Sequence, residues 1–347
     1  MFSFRIYSLL LTVAALSASA SVQQGTAPDA KEKDTKIGNV NLPASTEHWL
    51  APTDIKTGLE PLPPVIVQSD DQPEFVRELI RLQWRPNDPI EVWLIRPKVG
   101  GKVPEKAPVI MYLYGFPDNS ERFRDNGWCN RATADGFAAV SFIAALTDYR
   151  FHDRPLKQWF VSELAESLGS STHDVQLTLN YLATRGDLDM THVGMFGMGS
   201  GGTIAILAAQ ADDRITTLDL LDPWGDWPDW LKYSPFLKHE EDRSKYGSKE
   251  FLQSLSTLDP VPYLAALRAP NIRLQLILSE PNTPRIAKDM MAAAAPLRAA
   301  VVKYNSPVHL LNSWKTSGLS GWIKQQMRPA QKNSGADHRV EKSVANN

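Results

Sequence analysis

Apolar residues recur along the middle of the chain in short runs that alternate with longer amphipathic stretches. One continuous apolar run, residues 109–114, ends at Gly115, which is typical of a strand buried on both faces of a parallel sheet. Residues 161–185 have instead the apolar spacing of a helix, which we expect to break near Gly169 and to restart at 171–172. The alternation predicts an α/β fold, a mainly parallel sheet flanked by helices.

Further apolar runs predict the individual strands of this sheet. The predicted strands are 64–67, 90–95, 109–114, 138–143, 193–196, 215–221, 272–278 and 300–304. A helix of small residues is expected at 203–211 and a closing helix at 314–327. The stretch 222–264 is longer than a strand-to-helix connection requires, so we expect a lid-like insertion between the late strands.

The two ends of the chain differ from its middle. Residues 1–20 hold one charge, Arg5, then an apolar run too short to span a bilayer, and end in Ala18-Ser19-Ala20. These features are typical of a signal peptide cleaved after Ala20, and they predict an exported protein, periplasmic or extracellular. Residues 21–45, polar and lysine-rich, are predicted to be a flexible linker, and 329–347 a polar tail.

Composition and charge limit the classes of function that we expect. The 347 residues are 43% hydrophobic and 22% charged, with a formal net charge of −2, so a nucleic-acid or anionic-membrane surface is not expected. This length suits one large domain, 46–328, and no segment after the leader is apolar for long enough to span a membrane. Cys129, the single cysteine, excludes an intramolecular disulfide and is expected to be a half-buried thiol. The histidines lack metal-ligand spacing, so we expect no metal and no cofactor.

The most specific chemistry surrounds a cluster of glycines. The segment THVGMFGMGSGGTIAILAA, residues 191–209, has the form of a strand, a tight turn and a helix. A second segment, PVIMYLYGFPDN at 108–119, has the form of a buried strand and its following loop. Both resemble the α/β-hydrolase superfamily, especially its dienelactone-hydrolase-like and acetyl-xylan-esterase-like members, over about residues 64–327. The resemblance implies the α/β-hydrolase fold and, as substrates, carboxylic esters or amides.

The resemblance leaves two registers for the catalytic nucleophile. In the family, this residue occupies a strained turn with small residues two positions away on both sides. Centring the turn on Gly199 places Gly197 and Gly201 there, whereas centring it on Ser200 places the bulky Met198 at one flank. We therefore expect Gly199 at the nucleophile position, where no side chain exists to form an acyl-enzyme.

Other positions follow from the same resemblance. The backbone N–H groups of Phe116 and Ser200 would form an oxyanion hole. Tyr114 stands where the family has the histidine of a His-Gly dipeptide, and it is a candidate ligand contact together with Trp224 and Trp227. For the tryptophans, the alternative is that they pack the insertion onto the body of the domain.

The acid and the base of a triad are expected after the last two strands. The acid position falls at Asn282 or Thr283, neither of which ionises. Glu280 ionises but lies early, and it is either a working acid or a solvated loop carboxylate. His309 lies in the region expected for the histidine, and a surface histidine is its alternative interpretation.

Two hypotheses therefore stay open. The first is an exported α/β-hydrolase-fold protein that is catalytically impaired and retains a cleft for a small ester-like ligand. The second is an active serine hydrolase, with Ser200 as nucleophile, His309 as base and Glu280 as acid. The sequence leaves the oligomeric state undetermined.

Overall fold

The structure is a computed structural model that covers most of the predicted domain. It describes residues 47–52, 61–85, 88–116, 120–145, 150 and 160–328. The predicted signal peptide, 1–20, the linker, 21–45, and the tail, 329–347, lie outside these residues. Among the described helices, none is both long enough and apolar enough to cross a membrane.

Nine strands in the described residues form one sheet. They are β1 (Val65–Asp71), β2 (Phe75–Arg85), β3 (Asp88–Pro97), β4 (Ala107–Leu113), β5 (Ala138–Phe142), β6 (Leu188–Met198), β7 (Ile215–Leu221), β8 (Asn271–Ile277) and β9 (Ala300–Tyr304). The order across the sheet is β1-β2-β3-β5-β4-β6-β7-β8-β9. The first three strands pair antiparallel and β3 pairs antiparallel with β5, while all pairs from β5 to β9 are parallel. The predicted mainly parallel sheet is confirmed.

Helices cover both faces of this sheet. The α-helices of the described part are α1 (Asn126–Thr133), α2 (Leu164–Ala183), α3 (Ser200–Ala211), α4 (Trp227–Tyr233), α5 (Glu240–Tyr246), α6 (Lys249–Leu255), α7 (Pro260–Ala266), α8 (Arg285–Ala294), α9 (Pro307–Ser317) and α10 (Gly321–Met327). The segment predicted as a lid-like insertion contains α4 to α7, and α7 packs against α3 and α8.

The core lies in two layers, one on each side of the sheet. Strand β4 contributes to both layers, because its side chains alternate between the faces. Val109 and Met111 belong to the larger apolar cluster, and Ile110 and Tyr112 belong to the smaller one. All four are buried, which explains why this strand is apolar at consecutive positions.

Strand β2 was not predicted, because charged residues interrupt its apolar pattern. Arg77, Glu78 and Arg85 are nevertheless buried. Arg77 forms an ion pair with Asp70 at 2.5 Å, and Arg85 forms one with Asp174 at 2.5 Å. Paired in this way, charged side chains can occupy a buried strand that hydropathy alone does not indicate.

Two helix predictions were wrong. Helix α2 runs through Gly169 without a break, and a β-carbon there would lie 2.1 Å from the carbonyl oxygen of Trp49. Glycine at this position therefore leaves room for the backbone of Trp49 and does not end the helix. The closing helix is divided into α9 and α10, because Gly318 adopts a φ of 71° after the first of them.

Candidate active site

The tight turn between β6 and α3 is centred on Gly199. Strand β6 ends at Met198 and helix α3 begins at Ser200, with Gly199 at φ 55° and ψ −124° between them. The Gly199 N–H donates to the carbonyl oxygen of Leu221, 3.0 Å away on β7. Residues with side chains occupy this backbone region only under strain, and glycine adopts it at little cost.

Crowding explains the glycines on both sides of the turn. A β-carbon at Gly201 would lie 2.2 Å from the carbonyl oxygen of Leu113, and one at Gly197 would lie 2.7 Å from the carbonyl oxygen of Gly201. At Gly202 it would lie 2.9 Å from the β-carbon of Pro223. Such contacts require glycine, and they occur at the positions that the register centred on Gly199 leaves for small residues.

Gly199 itself is not crowded. A β-carbon at this position would meet the indole ring of Trp224, with Nε1 at 3.4 Å and Cε2 at 3.7 Å. These are ordinary van der Waals distances. Packing would therefore leave room for a side chain at Gly199. The absence of one matters for the chemistry, because the centre of the turn offers no nucleophilic atom.

Ser200 occupies the first position of α3, with its side chain fully buried. Its Oγ accepts a hydrogen bond of 3.0 Å from the N–H of Phe116. The backbone of the loop after β4 runs close to this helix start, since a β-carbon at Gly115 would lie 2.8 Å from the Ser200 nitrogen. The Phe116 N–H, one of the two expected oxyanion donors, is thus already hydrogen-bonded to the Ser200 hydroxyl.

Trp224 lies against Gly199, and further aromatic side chains pack around it. The ring of Trp224 lies 4.8 Å from that of Trp230 and 5.7 Å from that of Phe236, while Trp227 stands edge-on to Trp230 at 5.7 Å. Trp224 and Trp227 are both buried. The described conformation therefore corresponds to the alternative in which these tryptophans pack the segment 222–264 onto the body.

Tyr114 is also buried, and it belongs to the smaller of the two apolar clusters. Its ring lies 5.8 Å from that of Phe196, and the guanidinium carbon of Arg122 lies 3.6 Å from its centroid. This cation–π contact and the ring packing fix the side chain in place. The position at which the resemblance implies a histidine thus holds a packed aromatic residue.

The loop after β8, where the triad acid is expected, is closed and buried. Glu280, Asn282 and Thr283 all have less than a tenth of their surface exposed. The Glu280 carboxylate accepts a hydrogen bond of 3.3 Å from the N–H of Asn282, and burial raises the pKa of Glu280. Glu280 is therefore not the solvated carboxylate of the alternative interpretation.

Sequence reasoning missed two ionisable residues beside this loop. Asp222 follows β7 at a φ of 43°, its Oδ1 accepts from the N–H of Ile277 at 2.9 Å, and burial raises its pKa to about 7. Lys288 is fully buried in α8, 3.7 Å from that carboxylate. Its ammonium donates to the carbonyl oxygen of Glu280 at 2.6 Å and to that of Ile277. A polar residue directly after an apolar run signals Asp222, whereas no sequence pattern indicates that Lys288 is buried.

His309 lies on the first turn of α9, and its side chain is exposed. Its backbone N–H donates to Ser306 Oγ at 3.3 Å, and its ring stands edge-on to Tyr304, with 5.4 Å between the centroids. Within the described residues, the imidazole makes no hydrogen bond to Ser200, to Glu280 or to any other group. The structure thus does not join the three predicted catalytic side chains.

The remaining nucleophile and metal candidates add nothing to this site. Cys129 is fully buried rather than half-buried, and burial raises the pKa of its thiol to about 11, which disfavours the thiolate. Among the described residues, no group of histidine, cysteine, aspartate and glutamate side chains is arranged to hold a metal ion.

Comparison with known proteins places the fold. No protein-family model matches the sequence. An acetyl xylan esterase from Paenibacillus sp. R4 is similar over 74% of this chain and 88% of its own, with a TM-score of 0.56 and 15% identity. An acetyl xylan esterase from Thermoanaerobacterium sp. JW/SL YS485 is similar over 77% and 90%, with a TM-score of 0.57 and 14% identity. An acylaminoacyl peptidase from Pyrococcus horikoshii matches 77% of this chain and 50% of its own, with a TM-score of 0.52 and 14% identity.

At such low identity these similarities show the fold alone. The strand order, the tight turn after β6 and the three solved structures agree, and the chain has the α/β-hydrolase fold. A fold shared by esterases and peptidases hosts many functions, so the activity of this chain has to be inferred from its own site.

Proposed function

We propose that this chain is an exported α/β-hydrolase-fold protein that does not carry out the serine-hydrolase reaction. One observation supports this more than any other. The turn that presents a nucleophile in this fold is centred on Gly199, which has no side chain to attack an ester or amide.

The surroundings of Ser200 support the same proposal. A working serine nucleophile needs a base within hydrogen-bond reach and an oxyanion hole open to the substrate. Ser200 is fully buried and accepts the Phe116 N–H, while His309 is exposed and bonded to neither Ser200 nor Glu280 among the described residues. The alternative of an active enzyme would require all of these groups to rearrange.

Any ligand of this site is proposed to be a small carboxylic ester. The motivation is that two similar structures are named as acetyl xylan esterases. Entry requires the ring of Trp224 to move away from the turn, because it lies against Gly199, and Phe236 packs on that ring. Titration with an acetylated xylo-oligosaccharide should therefore change the tryptophan fluorescence, and an unchanged spectrum at saturating ligand would contradict ester binding at this turn.

An ester and amide hydrolysis assay tests the catalytic part of the proposal. The purified chain, without residues 1–20, is compared with its Ser200→Ala and His309→Ala variants on p-nitrophenyl acetate, acetylated xylan and an acyl-aminoacyl anilide. We expect all three proteins to give the same background rate. Turnover by the unmodified protein that both substitutions abolish would instead establish the active serine hydrolase.

Export is the remaining part of the proposal, and it has a separate test. Residues 1–20 have the composition of a signal peptide that ends in Ala18-Ser19-Ala20. Expression of the full chain in a bacterium, followed by mass spectrometry of the protein outside the cytoplasm, should give a mature N-terminus at Ser21. Retention of the intact chain in the cytoplasm would contradict export.

A further inference from the structure

Helix α8 presents an apolar stripe to solvent. Ile286 and Met290 are 44% and 45% exposed, Ala293 is exposed, and Leu297, three residues beyond the helix, is fully exposed. Within the helix, the spacing of Ile286, Met290 and Ala293, four then three, is that of a seam between packed helices, and Leu297 extends the apolar surface beyond the helix end. Met291, on the opposite side of α8, is buried in the core, so the stripe is additional to the face that holds the helix in the fold.

The edge of the sheet continues this surface. Strand β9 is the last strand in the described sheet, and its Val301 is 39% exposed. Lys303 lies on the same face of β9 as Val301 and reaches Asp289 of α8 at 3.5 Å. This ion pair places the outer face of β9 beside the stripe. We call Ile286, Met290, Leu297 and Val301 together the edge surface.

The opposite edge of the sheet is constructed differently. Strand β1 begins directly after Pro63-Pro64, and its pairing with β2 is irregular between Ile66 and Gln68. Proline and bulges are features that protect an edge strand from pairing with another chain. The residues of β9 include no proline, and its pairing with β8 is regular from Ala300 to Tyr304.

The charges beside the stripe have an order that a second copy would match. Arg285 and Asp289 are half-exposed and form an ion pair of 3.1 Å at the i, i+4 spacing, one position before Ile286 and Met290. Two copies of α8 placed antiparallel bring Arg285 of each next to Asp289 of the other, and Ile286 of each next to Met290 of the other. An isologous two-fold interface needs this kind of self-complementarity.

We propose that the edge surface is the interface of a homodimer, with two α8 helices packed antiparallel across a two-fold axis. The apolar stripe loses its contact with water, and the β9 edges approach each other along the same axis. The interface is remote in sequence from the turn at Gly199, and the proposal does not depend on whether that turn is catalytic.

Sedimentation velocity of the mature chain over a wide range of concentration tests the dimer. We expect a monomer–dimer equilibrium in the unmodified protein and a monomer for Met290→Glu at every concentration. Ile66→Glu is the matched control, because Ile66 is an apolar residue on the other edge strand that is 53% exposed, and this variant should dimerise normally. A monomeric unmodified protein, or loss of the dimer in both variants, would overturn the proposal.

A charge exchange tests the antiparallel arrangement itself. Arg285→Glu places two acidic groups together at each contact of the dimer, and Asp289→Arg places two basic groups there, so each variant alone should be monomeric. An equimolar mixture of the two variants should dimerise, since each contact then joins opposite charges. Both variants lack the Arg285–Asp289 pair within α8, so mixing cannot repair folding. A mixture that stays monomeric, with circular dichroism showing folded chains, would contradict the arrangement.

Discussion

The turn after β6 and the loop after β8 differ in what they share with a hydrolase. The turn keeps the geometry, since Gly199 has a positive φ of 55° and glycines fill the crowded positions at 197 and 201. The loop after β8 has Asn282, which does not ionise, at the position predicted for the acid, and the buried Lys288 donates a hydrogen bond to its Glu280 carbonyl oxygen. On the proposed function, the chain therefore has the geometry of the site without its reactivity.

Packing explains this difference. The turn has to bring α3 against β4, where the carbonyl oxygen of Leu113 approaches Gly201, so the fold requires its shape whether or not a reaction occurs. Among the described residues, no comparable contact requires an aspartate in the loop. Its polar groups instead bind one another and the buried ammonium of Lys288, which stabilises the closed loop.

The largest expected effect is at Lys288. Replacing it with Met leaves the carboxylate of Asp222 and the carbonyl oxygens of Ile277 and Glu280 without their buried cation. We expect the free energy of unfolding, measured by urea denaturation above pH 7 so that Asp222 is ionised, to fall by about 4 kcal/mol. Lys315→Met, at an exposed lysine, is the control and should change it little. Equal values for the two variants would mean that Lys288 does not close the loop.

The second effect separates crowding from conformation within the turn. Gly201→Ala forces a β-carbon against the backbone of β4 and should cost about 3 kcal/mol in the free energy of unfolding. In Gly199→Ala the β-carbon has room, so the free energy of unfolding should fall only by the cost of a positive φ, about 1 kcal/mol. A larger loss for Gly199→Ala than for Gly201→Ala would show that the turn is not packed as described.

The third effect is a pH dependence from Asp222. Burial raises its pKa from 3.8 to about 7 in the folded chain, so the folded state holds a proton that the unfolded state releases above about pH 4. Its contribution to stability is thus present below that pH and is lost as the pH rises through 7. The unmodified protein should lose on the order of 3 kcal/mol more than Asp222→Asn over this interval. Parallel stability–pH curves for the two proteins would refute this contribution.

The smallest expected effect is the most informative about catalysis. Gly199→Ser restores a hydroxyl at the turn, where the space beside Trp224 admits it. No base or acid among the described residues is bonded in position to activate that hydroxyl, so ester turnover should stay at background. Measurable turnover that a further His309→Ala change abolishes would show that the loops had kept their chemistry.

Much of this fold was predictable from the sequence. Strands β7 and β9 have the predicted bounds. A short run rich in apolar and β-branched residues between polar segments is typical of a strand, whether it is buried, as β7 is, or mostly exposed, as β9 is. The glycine spacing likewise predicted a turn at Gly199. Strand β2 was missed, because its buried charges are neutralised by residues distant in the chain, such as Asp174.

The candidate site was less predictable, because its contacts are long-range. The burial of Lys288 depends on the loop after β8 folding over it, and a lysine in an amphipathic helix normally indicates a solvent-facing position. The hydrogen bond between Phe116 and Ser200 joins residues 84 positions apart. Sequence spacing predicted positions for the triad, whereas the contacts made at those positions arise only from tertiary packing.

Labelling with a fluorophosphonate probe, followed by mass spectrometry of the modified peptide, tests the central claim most directly. The account predicts that the folded chain and its Ser200→Ala variant both stay unlabelled, while an active serine esterase in the same solution is labelled fully. Modification of Ser200 in the folded chain, abolished by Ser200→Ala and weakened by His309→Ala, would contradict the account and identify an active enzyme with a displaced nucleophile.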